Sequence, residues 1–295
     1  MLSLRELCEL AERHRDAWEH PVRAFELAGQ QVGGGQPPAV MGVINLSPDS
    51  WYRESVCLST EAAVRRGRVL QAQGALVVDV GAESTLAHAE RVDAALQQGR
   101  LLPVVRELSD AGVAVSVETY HPEVARAALE AGARVLNLTG TAAMEPCLEA
   151  AAAHGAAVIL CHVQGPNVRE VGDFEHAGDV VGAMYEHFAP RVEEAVRLGV
   201  ERLFIDPGLG FYYRNLQDSA ERVRFQMRVF LETFRLRRLG FPICHALPHA
   251  FEFFGEEVRC AEPFFAVLAA LGGTSLFRTH EVPRTLAVLR TLGCW

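Results

Sequence analysis

Nine residues far apart in the chain have side chains suited to binding or proton transfer: Asn45, Asp79, Glu118, Asn137, His162, Asp206, His245, Arg278 and His280. All but the last lie at or near the end of a short apolar run, and His280 follows directly on one. Singly, each has an ordinary reading. An Asn or Asp after a strand commonly caps the next helix or makes a turn, and His162 by itself is more simply a hydrogen-bonded structural histidine than a catalyst. Their recurrence at corresponding positions points instead to side chains converging on one pocket. Asn137, Glu118 and Asp206 can accept hydrogen bonds from N–H groups, and the amide can also donate to a carbonyl. That set suits a planar heterocycle rich in amino and ring N–H groups. Arg278 and His280, beside Asn45 and Thr85, make a cationic and amide-rich side suited to phosphate or another anion.

The elements that must position these groups alternate. Strands are read over 39–45 (AVMGVIN), 76–80, 113–118, 134–138, 157–162, 202–206, 242–247 and 275–279. Between them run helical patterns such as 60–75, 121–133, 177–200 and 218–240, and Gly74, Gly112, Gly132, Gly155, Gly199 and Gly240 supply helix C-caps before the next strand. Apolar strands followed by amphipathic helices mean a parallel sheet covered by helices. Eight such units predict an α/β fold of the (β/α)8 TIM-barrel type, with chemistry at the C-terminal strand ends. The rival, an open doubly wound sheet, lacks its G-x-G-x-x-G after the first strand. Residues 1–38 hold an amphipathic helix and then VRAFELAGQQVGGGQPP, read as a hairpin or plug packed on the N-terminal end of a barrel formed by 39–295.

Composition excludes several partners. A net charge of −9 argues against nucleic acid and anionic membranes, and no run of about 18 uncharged apolar residues exists to span a bilayer. The N-terminus mixes acids and bases throughout, unlike a signal peptide. Seven irregularly spaced cysteines without C-x-x-C suggest reduced thiols and a cytoplasmic location. All 28 basic residues are arginine; the chain has no lysine.

The motifs on these strand ends resemble the dihydropteroate synthase family of pterin-binding barrels across roughly residues 39–290. MGVINLSPDSW is similar to its first-strand motif, VVDVGAEST to the second, SVETYHPEVARAALEAGARVLNLTG to the third and fourth, CHVQG to the fifth, IDPGLGF to the sixth and FRTHEV to the eighth. The resemblance implies a transferase of folate biosynthesis that joins a 6-hydroxymethyl-7,8-dihydropterin pyrophosphate to p-aminobenzoate. It implies that Glu118, Asn137 and Asp206 hold the pterin, and that Asn45, Thr85, Arg278 and His280 hold the pyrophosphate. Asn45 would also contact magnesium, and Asp206, Arg278 and His280 would carry the chemistry. It further implies a homodimer through the last helices, for which the apolar segment 261–273 offers a surface.

Four departures concern the same region. Glu118 stands where the family has aspartate, and Leu86 stands where its second loop has arginine. The seventh strand ends CHALPHAFEFF instead of in a lysine-bearing motif, leaving His245 and His249 as possible substitute donors. The first loop continues YRESVCLST rather than in the family pattern. Three readings stay open on the sequence: a divergent synthase, a pterin- or folate-binding paralogue without synthase activity, and a reduced-pterin transferase with another acceptor.

Overall fold

The computed structural model describes residues 2–84, 89–175, 178–211, 213, 215–216 and 218–294. Two short helices open the chain, α1 (Leu4–Arg13) and α2 (Arg15–Trp18), followed by the hairpin strands β1 (Ala24–Leu27) and β2 (Gln30–Gly33). Ser3 caps α1 through a reciprocal capping box with Glu6. The hairpin turns on Ala28 and Gly29, both at positive φ (48° and 79°), as a two-residue turn matched to strand twist requires.

Eight parallel strands follow: β3 (Ala39–Asn45), β4 (Val77–Gly81), β5 (Val115–Thr119), β6 (Val135–Leu138), β7 (Ala157–Cys161), β8 (Leu203–Asp206), β9 (Cys244–Ala246) and β10 (Leu276–Thr279). They run in the order β8-β7-β6-β5-β4-β3-β10-β9. The amide of Ile205 donates to the carbonyl of Pro242 at 3.0 Å beside an Ile205–Ile243 bridge, which joins the two outer strands and closes the barrel. The helices α3 (Thr60–Ala72), α4 (Ala94–Asp110), α5 (Pro122–Glu130), α6 (Met144–Ala153), α7 (Val180–Arg197), α8 (Ser219–Glu232), α10 (Ala261–Leu271) and α11 (Val282–Leu292) alternate with the strands, with the single turn α9 (Phe251–Phe254) preceding α10. All six predicted capping glycines lie at positive φ. The helix expected over 218–240 tightens into a 3-10 segment from Thr233 to Leu239.

Strand side chains alternate between two cores, as the period of two demands. Val40, Ile44, Val78, Val80, Val115, Val117, Leu136, Val158, Leu160, Ile205 and Phe277 point outward into the helix layer. Met41, Val77, Val135, Ala157, Ile159, Phe204, Cys244 and Leu276 point inward and fill the lower barrel. Leu27 and Val32 of the hairpin join that inner cluster, and Phe25 meets Phe204 edge-on at 5.1 Å. The N-terminal end is thus closed by apolar packing, and the inward polar side chains gather at the other end.

Candidate functional site

Inward parity selects the cup. Continuing upward from the apolar layer, the inward positions are Asp79, Ser116 and Asn137, then Asn45, Glu118, Cys161, Asp206, Ala246 and Arg278. A cavity at the C-terminal strand ends is lined by Asn45, Glu118, Asn137, Asp206, His249, Arg278 and His280 among others, so seven of the predicted site residues share one space. Thr85 and Leu86 lie outside the described residues.

The floor is an ionic network centred on Arg278. Its Nε donates to Asp79 Oδ2 and its Nη2 to Glu118 Oε2, both at 2.7 Å. Ser116 Oγ donates to Asp79 Oδ1 at 2.6 Å, and Asn137 Nδ2 to Asp79 Oδ2 at 3.2 Å. Asp79 therefore orients both Arg278 and Asn137 from below the cavity, a role that the strand-end pattern alone did not assign to it. Asn137 Oδ1 is buried without a hydrogen-bond partner. An unsatisfied buried acceptor is costly, and this one belongs to a cavity-lining residue whose amide nitrogen is already committed. It is a ready receptor for a ligand N–H. Asp206 accepts from the Gly208 amide at 2.8 Å through Oδ1.

Three carboxylates, Asp79, Glu118 and Asp206, lie around one guanidinium, and two of them are shifted by burial there. Burial, partly offset by Arg278 and reinforced by Asp79, raises the Glu118 carboxyl to about 7. Burial likewise raises Asp206 to about 6, against the pull of the Gly208 amide and Arg278. Burial alone would lower Arg278, but Asp79 and Glu118 more than offset it, so the guanidinium stays charged. The floor is short of positive charge, and a cationic guest would relieve it.

The side of the cup with Asn45 and His280, expected from the sequence to take an anion, is framed differently. Asn45 Nδ2 donates to Ser55 Oγ at 2.6 Å, which turns its Oδ1 into the atom available to a cation. His280 is oriented by Glu262, whose Oε1 lies 2.6 Å from Nδ1 and whose Oε2 accepts the His280 amide at 2.9 Å. The ring stacks on Tyr52 at 4.5 Å, and the Tyr52 hydroxyl donates to Glu281. With Nδ1 held by the carboxylate, protonation would make Nε2 a donor to an anion. Arg278 sits lower than an anion-rim residue, with two nitrogens committed to acids. Among the described residues, no group of three His, Cys, Asp or Glu side chains could hold a metal ion. The donor set fits magnesium only as a companion of a bound polyphosphate, with Asn45 contributing one oxygen.

The two loops at the rim are tied together. Asp49 Oδ2 accepts the Glu90 amide at 3.1 Å. Buried Arg169, from the loop after β7, donates to the carbonyls of Ser84 at 2.6 Å and Ala89 at 2.7 Å and pairs with Glu83 at 3.4 Å. Sequence reasoning missed Arg169, since nothing distinguishes it from other surface arginines. It also missed Glu262, though a lone acid in the apolar segment AEPFFAVLAALGG was a readable signal.

His249 lines the cavity at 4.4 Å from the Trp51 ring, and burial, reinforced by Arg222, holds it at about 4 and therefore neutral. The expectation that His245 stands in as a donor for the missing lysine is corrected. Its neighbours Cys244 and Ala246 face inward, so a one-residue offset sends it outward. There it meets Thr233 Oγ1 at 2.8 Å and the Phe230 ring at 4.5 Å. His162 follows inward Cys161 and likewise turns out, among Phe174, His187 and Phe188.

The sequence profile of the pterin binding enzyme family matches residues 41–280. Dihydropteroate synthase of Mycobacterium leprae is 33% identical over 268 residues, covering 88% of this chain and 94% of that protein. The corresponding enzyme of Escherichia coli K12 is 30% identical over 264 residues, covering 86% and 90%. Among solved structures, dihydropteroate synthase of Xanthomonas albilineans with 4-aminobenzoic acid superposes with a TM-score of 0.75 at 30% identity, covering 93% of this chain and 98% of that one. The same enzyme in complex with 7,8-dihydropteroate gives 0.71 at 29% identity, covering 92% and 98%. With a closed barrel, an acid-floored cup at its C-terminal end and this similarity across most of its length, the chain belongs to the pterin binding enzyme family.

Proposed function

We propose that the chain is a dihydropteroate synthase, condensing 6-hydroxymethyl-7,8-dihydropterin pyrophosphate with p-aminobenzoate. The observation that carries this reading is the cavity floor, where the unpartnered Asn137 Oδ1 stands with Asp206 and Glu118. These acceptors match the amino and ring N–H groups of a pterin. The C–O bond between the pterin methylene and pyrophosphate breaks, positive charge develops on the methylene and pterin, the arylamine nitrogen bonds to that carbon, and the amine loses a proton. Asp79, Glu118 and Asp206 set a negative potential where the positive charge grows, a preorganised electrostatic contribution. Asn45 and His280 are assigned to the departing pyrophosphate, with Arg278 beneath them in the floor. Magnesium, held by Asn45 and the pyrophosphate, would neutralise the leaving group.

Purified protein given both substrates and magnesium is expected to release pyrophosphate and form dihydropteroate. Pterin binding without turnover would instead favour a binding paralogue, the alternative that the missing lysine and Leu86 support. Exposed Phe264 and Leu271 on α10 are consistent with a dimer through the last helices, checked by light scattering. The seven cysteines are free, in keeping with a reducing cytoplasm, and no helix among the described residues is long and apolar enough to cross a membrane.

A further inference from the structure

Two arginines line the cavity among the described residues, and they are held very differently. Arg278 is locked into the floor by two acids. Arg222, on α8, has a side chain only 11% exposed, and its Nη2 donates to both oxygens of Glu252 at 2.7 and 2.9 Å. Glu252 itself is on the rim turn α9, with 39% of its side chain exposed. A nearly buried cation lining a binding cavity is therefore paired with a carboxylate that is itself partly open to solvent. The space beside it has an aromatic flank. Trp51 lies 4.4 Å from His249 and 5.3 Å from Phe251, and Trp51, His249, Phe211 and Pro248 are among the residues lining the cavity with Arg222. An aryl ring between these groups would project a carboxylate toward Arg222.

Building on the synthase reading, we propose that Arg222 is the receptor for the carboxylate of the arylamine acceptor and that Glu252 is its built-in competitor. The chain would thereby supply, from α8, a cation on the side of the cup where the seventh strand has no lysine. A bidentate guanidinium also selects carboxylates over neutral arylamines, since it matches two oxygens at once.

The test compares p-aminobenzoate with 4-methylaniline in R222Q, R222K and E252Q. R222Q should raise KM for p-aminobenzoate by about 10–100-fold, the loss of one charged hydrogen-bonded pair. It should leave KM for 4-methylaniline and for the pterin pyrophosphate within about threefold, and R222K should recover part of the loss. E252Q should move the other way and lower KM for p-aminobenzoate by roughly three- to tenfold, because the neutral amide competes less well. A purely structural pair would harm both variants alike. Equal effects of R222Q on the two arylamines, or a raised KM in E252Q, would overturn the proposal. If the protein turns over neither amine, calorimetry on protein saturated with 6-hydroxymethylpterin makes the same comparison. Preferential p-aminobenzoate binding that R222Q abolishes would then support Arg222 while the synthase reading fails, and no preference would overturn Arg222 itself.

Discussion

Glu118→Gln should stabilise the protein at alkaline pH while weakening its proposed function. In the folded state the Glu118 carboxyl titrates near 7, raised chiefly by burial against the partial relief of Arg278. An unfolded glutamate titrates near 4.3. Between these values the folded state holds a proton that the unfolded state has lost, so stability falls as pH rises through the window. Above it, the ionised and largely buried Glu118 costs roughly 4 kcal/mol relative to its neutral form, at about 1.4 kcal/mol per pH unit. Coupling to Asp206 and Asp79 makes this an upper bound. Glutamine cannot ionise, yet its amide oxygen can still accept from Arg278 Nη2, now at 2.7 Å from Glu118 Oε2. E118Q should therefore match the wild type near pH 4.5 and exceed it by about 1–3 kcal/mol at pH 8, measured by urea denaturation across that range. The gain should come with a lower rate of pyrophosphate release, because one negative charge is lost from the floor. A stability difference independent of pH, or a variant less stable than wild type at pH 8, would refute the electrostatic account of the cup.

Asn137→Ala should weaken pterin binding about 10–100-fold by calorimetry, since the buried Oδ1 then offers nothing to a ligand N–H. His245→Phe should lower stability by about 1–2 kcal/mol through loss of its bond to Thr233, with kcat/KM unchanged, because the ring packs outside the cavity. Arg169→Gln should raise KM for the pterin pyrophosphate by roughly tenfold with a smaller change in kcat, as the second loop loses its tie to Ser84 and Ala89. Ala28→Asn should raise stability by about 0.5–1 kcal/mol, since φ at this turn is positive and asparagine tolerates that region better than alanine.

The architecture was legible because strand and helix periodicities follow directly from burial. The run AVMGVIN spans β3 as read, and Gly74, Gly112 and Gly199 end their helices at positive φ. The cup was legible where a strand-end residue also had inward parity, as Asn45, Glu118, Asn137 and Asp206 do. It failed at His162 and His245, where chemical type was read without counting the alternation from Cys161 and Cys244. The roles of Asp79, Glu262 and Arg169 depend on partners 18 to 199 positions away, as in the Arg278–Asp79 pair, and no local pattern encodes such distances.

Calorimetric titration of 6-hydroxymethylpterin into the wild-type protein and into Asp206→Ala tests the identity of the cup most directly. Stoichiometric binding by the wild type, weakened at least about tenfold in the variant, is the predicted result for a lost charged hydrogen-bond acceptor. Equal affinity in the two proteins, or no binding to the wild type, would contradict it.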